Sequence, residues 1–160
     1  MGVKTEALAT LIETKARDAA AVLEKLTDAD WKKVTEAEKW TVGATAHHLA
    51  GGLEAVSGIV KGLVAGHAHG NFTMGMLDQM NAQHAKEHAN CNKAETAALL
   101  KKGAATASAV VRGLSDDQLA KSGTVFSDAP PMTVEQLVQR GLVMHIDEHV
   151  GSIRKTVGKS

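Results

Sequence analysis

Three histidines are the residues whose types and spacing are best suited to chemistry in this chain. His145 and His149 are four positions apart near the C-terminal end, and His48 lies far upstream. On a helix, positions i and i+4 share one face, so these two imidazoles could bind one metal ion. A third imidazole from a neighbouring helix would complete three protein ligands and leave one coordination position open, as in catalytic zinc sites.

The adjacent residues His47 and His48 fall on different rows of the same predicted helix. The row of His48 continues through small and apolar residues: Gly52, Ala55 and Ile59. The row of His47 continues through residues typical of a solvent face: Gly51, Glu54, Gly58 and Lys61. We therefore predict that His48 points inward, where its small neighbours leave room for an ion and its water. His47 is expected at the surface or behind the ligands, with little effect on metal binding.

Burial without a metal is the competing interpretation of these histidines. Semi-buried imidazoles satisfied by hydrogen bonds are common, but three neutral rings would each need partners for both nitrogens. Both interpretations stay open on the residues alone. His84 and His88 are also four positions apart, but the phase of their helix predicts an outward face or a subunit interface. His67 and His69 lie in a predicted loop and form only a short His-x-His pattern.

Motif searches exclude several classes of enzyme. The chain contains no Glu-x-x-His for a di-iron site, no Gly-x-Ser-x-Gly, and no glycine-rich phosphate or dinucleotide loop. Residues 145–149 do match His-x-x-Glu-His, in which Glu148 could act as a general base. We interpret Glu148 first as a surface or outer residue, and Cys91 as a packing residue rather than a nucleophile.

Composition narrows the partners of the chain. Its 160 residues include 18 basic and 18 acidic side chains, a balance that argues against binding to nucleic acid or to a membrane surface. A single cysteine excludes an intramolecular disulfide and suits a reducing compartment. The N-terminus shows no apolar signal core, and no apolar run is long enough for a bilayer. We therefore expect a cytoplasmic protein.

Apolar periodicity predicts four amphipathic helices. They run from about Lys4 to Leu26, from about Thr41 to Gly66, from about Met74 to Gly113 with a bend near Asn90 and Asn92, and onward from Thr133. Thr133 and Gln136 form a capping-box pattern at the start of the last helix. These helices predict an all-α four-helix bundle, residues 1–160 in a single domain, with no sheet. For His48 to meet His145, we expect the second and fourth helices to be parallel with an axial offset.

The motifs around the three histidines resemble the DinB-like metal-binding four-helix family, and the fold that this implies is the DinB/YfiT-like metalloenzyme fold. The resemblance rests on Trp40-Thr41-Val42 followed by His48-Leu49-Ala50, and on His145-x-x-x-His149-x-Gly151-x-Ile153. The family includes mycothiol-dependent maleylpyruvate isomerase and bacillithiol transferases. The resemblance implies that His48, His145 and His149 bind one divalent metal ion, zinc or nickel. It also implies an unusual bundle connectivity and a homodimer.

Three functions are compatible with this pattern. The leading hypothesis is a metal-dependent enzyme that activates a small thiol, such as a low-molecular-weight thiol cosubstrate, for transfer. The second is a metal-dependent hydrolase in which Glu148 serves as the base. The third is a non-enzymatic metal-binding or stress-response protein.

Overall fold

Four long helical segments dominate the described part of the chain. The computed structural model describes residues 2–67 and 70–158. In chain order the elements are α1 (Val3–Glu24), α2 (Asp28–Lys32), α3 (Val42–Val64), α4 (Met74–Glu87), α5 (Lys93–Arg112), α6 (Asp116–Ala120), β1 (Ser122–Gly123), β2 (Met132–Thr133), α7 (Val134–Val138) and α8 (His145–Val157). A π-helical segment, Gln139–Met144, joins α7 to α8, so that 134–157 form one C-terminal helix.

Side-chain caps explain where three long helices begin. The side chains of Thr41, Asn92 and Thr133 each accept a hydrogen bond, 3.0 Å long, from the backbone N–H three residues later. These bonds satisfy donors that have no partner within the helix. The predicted capping box at Thr133 is confirmed, because Gln136 also accepts a hydrogen bond from the Thr133 N–H. The predicted bend near Asn92 is a complete interruption between α4 and α5.

Ion pairs and close contacts fix the directions of the helices. Lys4 pairs with Glu135 and Lys15 with Asp147, so α1 and the C-terminal helix run parallel. Arg112 at the end of α5 pairs with Glu6 near the start of α1, so these two helices are antiparallel. α3 and α5 are parallel, since Gly51 faces Leu99 and Glu54 pairs with Lys102.

The predicted parallel arrangement of α3 and the last helix is wrong. Gly52 lies against His145 while Val56, further along α3, lies against Gly141, so residue numbers rise on one helix as they fall on the other. The bundle is therefore up-down-down-up in chain order. The parallel pair α3 and α5 requires a crossover, and α4 provides it by running back along α3 from Met74 to His84 beside His47.

One further expectation is corrected by the connection before the last helix. Residues 116–120 form the short helix α6, and a minimal two-stranded ribbon pairs Ser122 with Thr133 and Gly123 with Met132. The expectation of no sheet is therefore wrong at this one place. The ribbon forms because a chain that turns back on itself pairs its own backbone groups. No helix in the described ranges combines the length and the apolar character needed to span a bilayer.

The core is filled from all four long helical segments. Its largest fully buried side chains include Ile12 of α1, Leu49 and Leu53 of α3, Leu100 of α5, and Leu142 and Ile146 of the C-terminal helix. Alanine and glycine at the contacts bring the backbones close together. A Cβ atom at Gly103 would lie 2.9 Å from the carbonyl oxygen of Ala50 and 3.1 Å from the Cβ of Leu53.

Alanine substitutions at two helical glycines should therefore change the free energy of unfolding in opposite directions. We expect Gly103→Ala to lower the free energy of unfolding by about 1–3 kcal/mol, because the new methyl group forces α3 and α5 apart. Gly58→Ala is the matched control, since its Cβ would meet nothing within 4 Å, and it should raise the free energy of unfolding by up to about 1 kcal/mol. Urea titration followed by circular dichroism measures both. Equal effects at the two positions would contradict the predicted close contact.

Candidate metal centre

The three predicted histidines converge between α3 and α8. The ring centroids are 5.0 Å apart for His48 and His145, 4.8 Å for His48 and His149, and 4.7 Å for His145 and His149. The planes are inclined to each other by 67–86°. One ring nitrogen from each residue lies within 4.8 Å of the others. The three nitrogens can therefore surround a single small cation.

Glu38 fixes the orientation of His149. Its carboxylate accepts a hydrogen bond from Nδ1 of His149 at 2.9 Å, and its other oxygen accepts one from the Ser152 hydroxyl at 2.5 Å. Since an ionised carboxylate only accepts, His149 carries its proton on Nδ1 and its Nε2 lone pair is free. This pairing of a carboxylate with an imidazole is the usual support behind a metal-ligating histidine.

A tight loop before α3 presents Glu38 to the site. The N–H of Thr35 donates to the carbonyl of Trp40 at 2.8 Å, and the N–H of Val42 donates to that of Lys33 at 2.7 Å. Lys39, at the turn, has a φ of 64°, in the left-handed region. Glu38 was missed in the sequence because it lies in a polar connection without periodicity. The only available signal was its position two residues before the Trp40-Thr41-Val42 motif.

Gly52 gives the ring of His145 its space. A Cβ atom there would lie 2.5 Å from Nε2 of His145. Gly52 was expected to leave room for an ion and its water, but the space beside it holds the imidazole of His145 instead. Ala55, predicted to share this inward row, is exposed. Because α3 carries no side chain at residue 52, the two helices approach closely enough for His48 and His145 to meet.

One buried nitrogen of the triad makes no hydrogen bond within the described part of the chain. Nε2 of His145 is inaccessible to solvent and makes no hydrogen bond to any described residue. An unsatisfied buried polar atom of this kind costs about 1–3 kcal/mol. A cation bound by the three imidazoles would satisfy it, so the donor set and its geometry fit a divalent metal.

The helix carrying His145 is less regular than its sequence suggests. A π-helical segment immediately precedes His145, whereas the apolar pattern predicted a continuous α-helix. A π-helix places one additional residue in the turn and shifts the phase of the residues that follow. Gly141 lies within this segment, and a Cβ there would be 2.8 Å from the Val56 side chain. The phase change and this close contact both position His145 against α3.

The protonation states of the site at neutral pH favour metal binding. Burial and the neighbouring imidazoles lower the pKa of His48 to about 3, and burial and His149 lower the pKa of His145 to about 4. Burial acts to raise the pKa of Glu38, but the hydrogen bonds from His149 and Ser152 outweigh it and lower that pKa to about 2. Two ligands are therefore neutral and their supporting carboxylate is ionised, the states that metal binding requires.

Of the other side chains with chemical potential, Trp40 borders the triad and the rest lie away from it. Trp40 packs edge-on against His48, with centroids 5.2 Å apart. Glu148 is exposed, as expected for a surface residue. The Cys91 thiol donates to the carbonyl of Gly43 at 3.2 Å, and burial raises its pKa, which supports a packing role. His67 is exposed, and His69 lies outside the described residues.

His47 was expected at the surface or behind the ligands, and the surface position is wrong. His47 is half-buried and contacts His84 and His88, which were expected to point outward or to lie at a subunit interface. The error arises because α4 folds back over the face that the helical row assigned to solvent. His47, His84 and His88 form a second group of three imidazoles whose nitrogens lie within 4.8 Å of one another.

Comparison with protein families gives a match over most of the chain. The model of the mycothiol maleylpyruvate isomerase N-terminal domain family matches residues 12–146, which include His48 and His145 and end just before His149. Comparison with curated proteins by sequence gives no match.

Several solved structures share the fold. YfiT from Bacillus subtilis, described as a probable metal-dependent hydrolase with an unusual four-helix bundle topology, is 18% identical with a TM-score of 0.75, over 100% of this chain and 91% of that one. An uncharacterized protein from Clostridium difficile 630 is 15% identical with a TM-score of 0.77, and the match covers 97% of this chain and 96% of that one. A mycothiol-dependent maleylpyruvate isomerase is 13% identical with a TM-score of 0.74; 93% of this chain matches 60% of that enzyme. These likenesses confirm the four-helix DinB/YfiT-like fold.

Removing the carboxylate behind His149 should weaken metal binding without unfolding the protein. We expect Glu38→Gln to lower the affinity for zinc by about 10–100-fold, because the amide no longer holds His149 in the correct tautomer. Glu36→Gln is the matched control, since Glu36 lies in the same loop and pairs with Lys155 at the surface. Competition with a chromogenic chelator measures both affinities. An unchanged affinity in Glu38→Gln would show that the carboxylate does not support a ligand.

The metal-free protein should lose stability on acidification. The pKa values of His48 and His145 are lower in the folded protein than in the unfolded chain, so below about pH 6.5 the unfolded chain binds more protons. The free energy of unfolding should therefore fall as the pH decreases from 6.5 towards 4. The depressed pKa of Glu38 adds a further loss below pH 4.5.

Urea unfolding in the presence of a chelator at pH 7.5, 6.0 and 5.0 measures this dependence. His48→Gln should flatten it, whereas the exposed loop variant His67→Gln should not. A stability that is constant across this range would contradict the burial of neutral imidazoles.

Proposed function

Because the chain belongs to the mycothiol maleylpyruvate isomerase N-terminal domain family, we propose that it is a divalent-metal-dependent enzyme that activates a small thiol for transfer. His48, His145 and His149 are the proposed ligands, and zinc or nickel is the proposed ion. Imidazole nitrogens suit both metals, so their availability decides which one is bound.

The observation that carries this proposal is the unpartnered nitrogen of His145 among three mutually inclined imidazoles. Burial without a metal would leave Nε2 unsatisfied, although Gly52 and the π-helical segment position this ring closely. Glu38 meanwhile fixes the proton of His149 on the nitrogen that faces away from ligation. The same hydrogen bond leaves Nε2 of His149 free to bind an ion.

The chemistry depends on an open position next to three neutral ligands. When bound, a divalent cation acts as a Lewis acid that lowers the pKa of a coordinated thiol or water, which produces a nucleophile near neutral pH. The described residues bring three imidazoles to the site, and no carboxylate or thiolate joins that group. The neutral ligand set leaves the positive charge of the cation uncompensated, and this favours an anionic thiolate.

The protein residues around the triad have separate tasks. Glu38 and Ser152 hold His149 in one tautomer and one orientation. Trp40 covers one edge of His48 and shields that ring from water. Gly52 admits His145, and the core residues next to it in sequence on α3, such as Leu49 and Leu53, keep the helix fixed. The site is thus built on rigid helices, with one carboxylate delivered by a loop.

The hydrolytic alternative has less support. It requires a general base near the site, and Glu148, the residue expected to fill this role, is exposed on α8. Glu38 is closer, but both of its oxygens are engaged by His149 and Ser152. The homodimer and the cytoplasmic location stay predictions from the resemblance and the composition.

A cobalt titration tests the thiol proposal. The measurement uses His84→Ala, which removes one imidazole of the neighbouring group and confines cobalt to the triad of His48, His145 and His149. We expect one equivalent of cobalt to bind and its absorption spectrum to change when a small thiol is added at pH 7. In the same background, His145→Ala should abolish both the binding and the change.

His67→Ala in this background is the control and should retain both properties. If cobalt binds in the triad but its absorption spectrum does not change on addition of a thiol, the hydrolase or the non-enzymatic alternative is favoured. Cobalt that remains bound after His145→Ala would contradict the assignment of the ligands.

A further inference from the structure

A second group of three imidazoles lies beside the first and belongs to different helices. His47 comes from α3, His84 comes from α4, and His88 caps the C-terminal end of α4. On α4, the two histidines are one turn apart and share one face, which is the spacing that lets a helix hold one ion with two imidazoles. One ring nitrogen from each of the three lies within 4.8 Å of the others.

The rings are packed in direct contact. His47 and His88 stack with centroids 3.8 Å apart and planes inclined by 12°. Nδ1 of His47 lies 2.8 Å from Nε2 of His84, within hydrogen-bond distance. The ring of His84 is 4.4 Å from that of His88. Three imidazoles from two helices thus converge on one small volume.

Hydrogen bonding within this group leaves one atom unsatisfied. Nδ1 of His84 is inaccessible to solvent and makes no hydrogen bond to any described residue. The same condition holds for His145 in the first triad. Each histidine group therefore contains one buried nitrogen that makes no hydrogen bond within the described residues. This correspondence is the strongest indication of a ligand at the second group.

The crossover helix has few other attachments to the bundle. Ala85 is the one buried residue among the residues of α4. The N-terminal end is held by the bond from the Met74 N–H to Asp128 at 3.0 Å and by the stacking of Phe72 on Phe126. Within the described residues, the contact of His47 with His84 is the hydrogen bond that connects the body of α4 to α3. Just beyond α4, the chain is also tied to the start of α3, because the Thr41 hydroxyl donates to the Ala89 carbonyl and the Cys91 thiol donates to the Gly43 carbonyl. Within the C-terminal half of α4 itself, the histidines and the buried Ala85 provide the contacts with the bundle.

We propose that His47, His84 and His88 form a second divalent-metal site that fastens α4 to α3. Three imidazole nitrogens favour zinc, cobalt, nickel or copper over magnesium or calcium. Since all three side chains are only half-buried, the site lies near the surface and can exchange metal with solvent. The proposed function does not depend on this site, and the site does not depend on the proposed function.

The second site is adjacent to the first. The rings of His84 and His48 are 5.9 Å apart and meet edge to face. An ion held by His84 would fix this ring beside a ligand of the first triad. Metal at the second site is therefore expected to order the helix that covers one side of the first.

Metal stoichiometry distinguishes the two sites. Untagged, chelator-treated protein is dialysed against zinc, and the bound metal is measured by elemental analysis. We expect two equivalents in the wild type, one in His145→Ala, one in His84→Ala, and none in the variant with both substitutions. His88→Ala should behave like His84→Ala, and His67→Ala should retain two equivalents. Far-UV circular dichroism verifies that each variant is folded.

The outcomes separate failure of this proposal from failure of the first site. One equivalent that is lost in His145→Ala and kept in His84→Ala overturns the second site and leaves the first. One equivalent that is lost in His84→Ala and kept in His145→Ala supports the second site and overturns the first. Two equivalents that both survive His84→Ala and His88→Ala overturn the assignment of these ligands.

Hydrogen exchange tests the fastening of α4 independently. Zinc should slow amide exchange in 74–87 of the wild type and of His145→Ala, by up to about 100-fold when free zinc is 100 times its Kd. The same addition should leave exchange of this helix unchanged in His84→Ala. Zinc that binds in His145→Ala without slowing exchange in α4 would overturn the proposed link between the helices.

Discussion

The close approach of α3 and the C-terminal helix is the constraint on which the site depends. Gly52 has no side chain, so His145 fits where any other residue would overlap its ring. Gly141 repeats this approach one helical turn away, against Val56. Close packing here brings polar rings into a region where each nitrogen needs a partner, because burial removes the water that would otherwise satisfy it. Glu38 supplies one such partner, while Nε2 of His145 has no hydrogen-bond partner among residues 2–67 and 70–158.

The up-down-down-up arrangement gives α3 a neighbour on each side of its histidine pair. Successive residues on a helix are about 100° apart around the axis, since a turn contains 3.6 residues. His48 therefore points towards α8, and His47 towards α4. The crossover helix that allows α3 and α5 to be parallel is also the element that delivers His84 and His88. One topological feature thus places two histidine groups side by side.

Local chemistry made a large part of this structure predictable. Hydroxyl and amide caps at Thr41, Asn92 and Thr133 mark helix starts because a nearby side chain is enough to satisfy the first free N–H groups. His145 and His149 share a face because helical geometry is fixed by the backbone. The inward direction of His48 followed from its small and apolar neighbours, although the exposed Ala55 shows that such a row is only approximate.

The sequence by itself determined the main helical stretches, the cap at Thr133 and which histidines share a row, because these depend on residues within about one turn of each other. Only the tertiary structure decided the rest. The direction of α3 against the last helix follows from the crossover, and no local pattern records it. Glu38 reaches His149 across 111 residues of sequence. His47 faces other histidines instead of water because α4 folds back over it, and a helical row cannot show which of its faces another segment will cover.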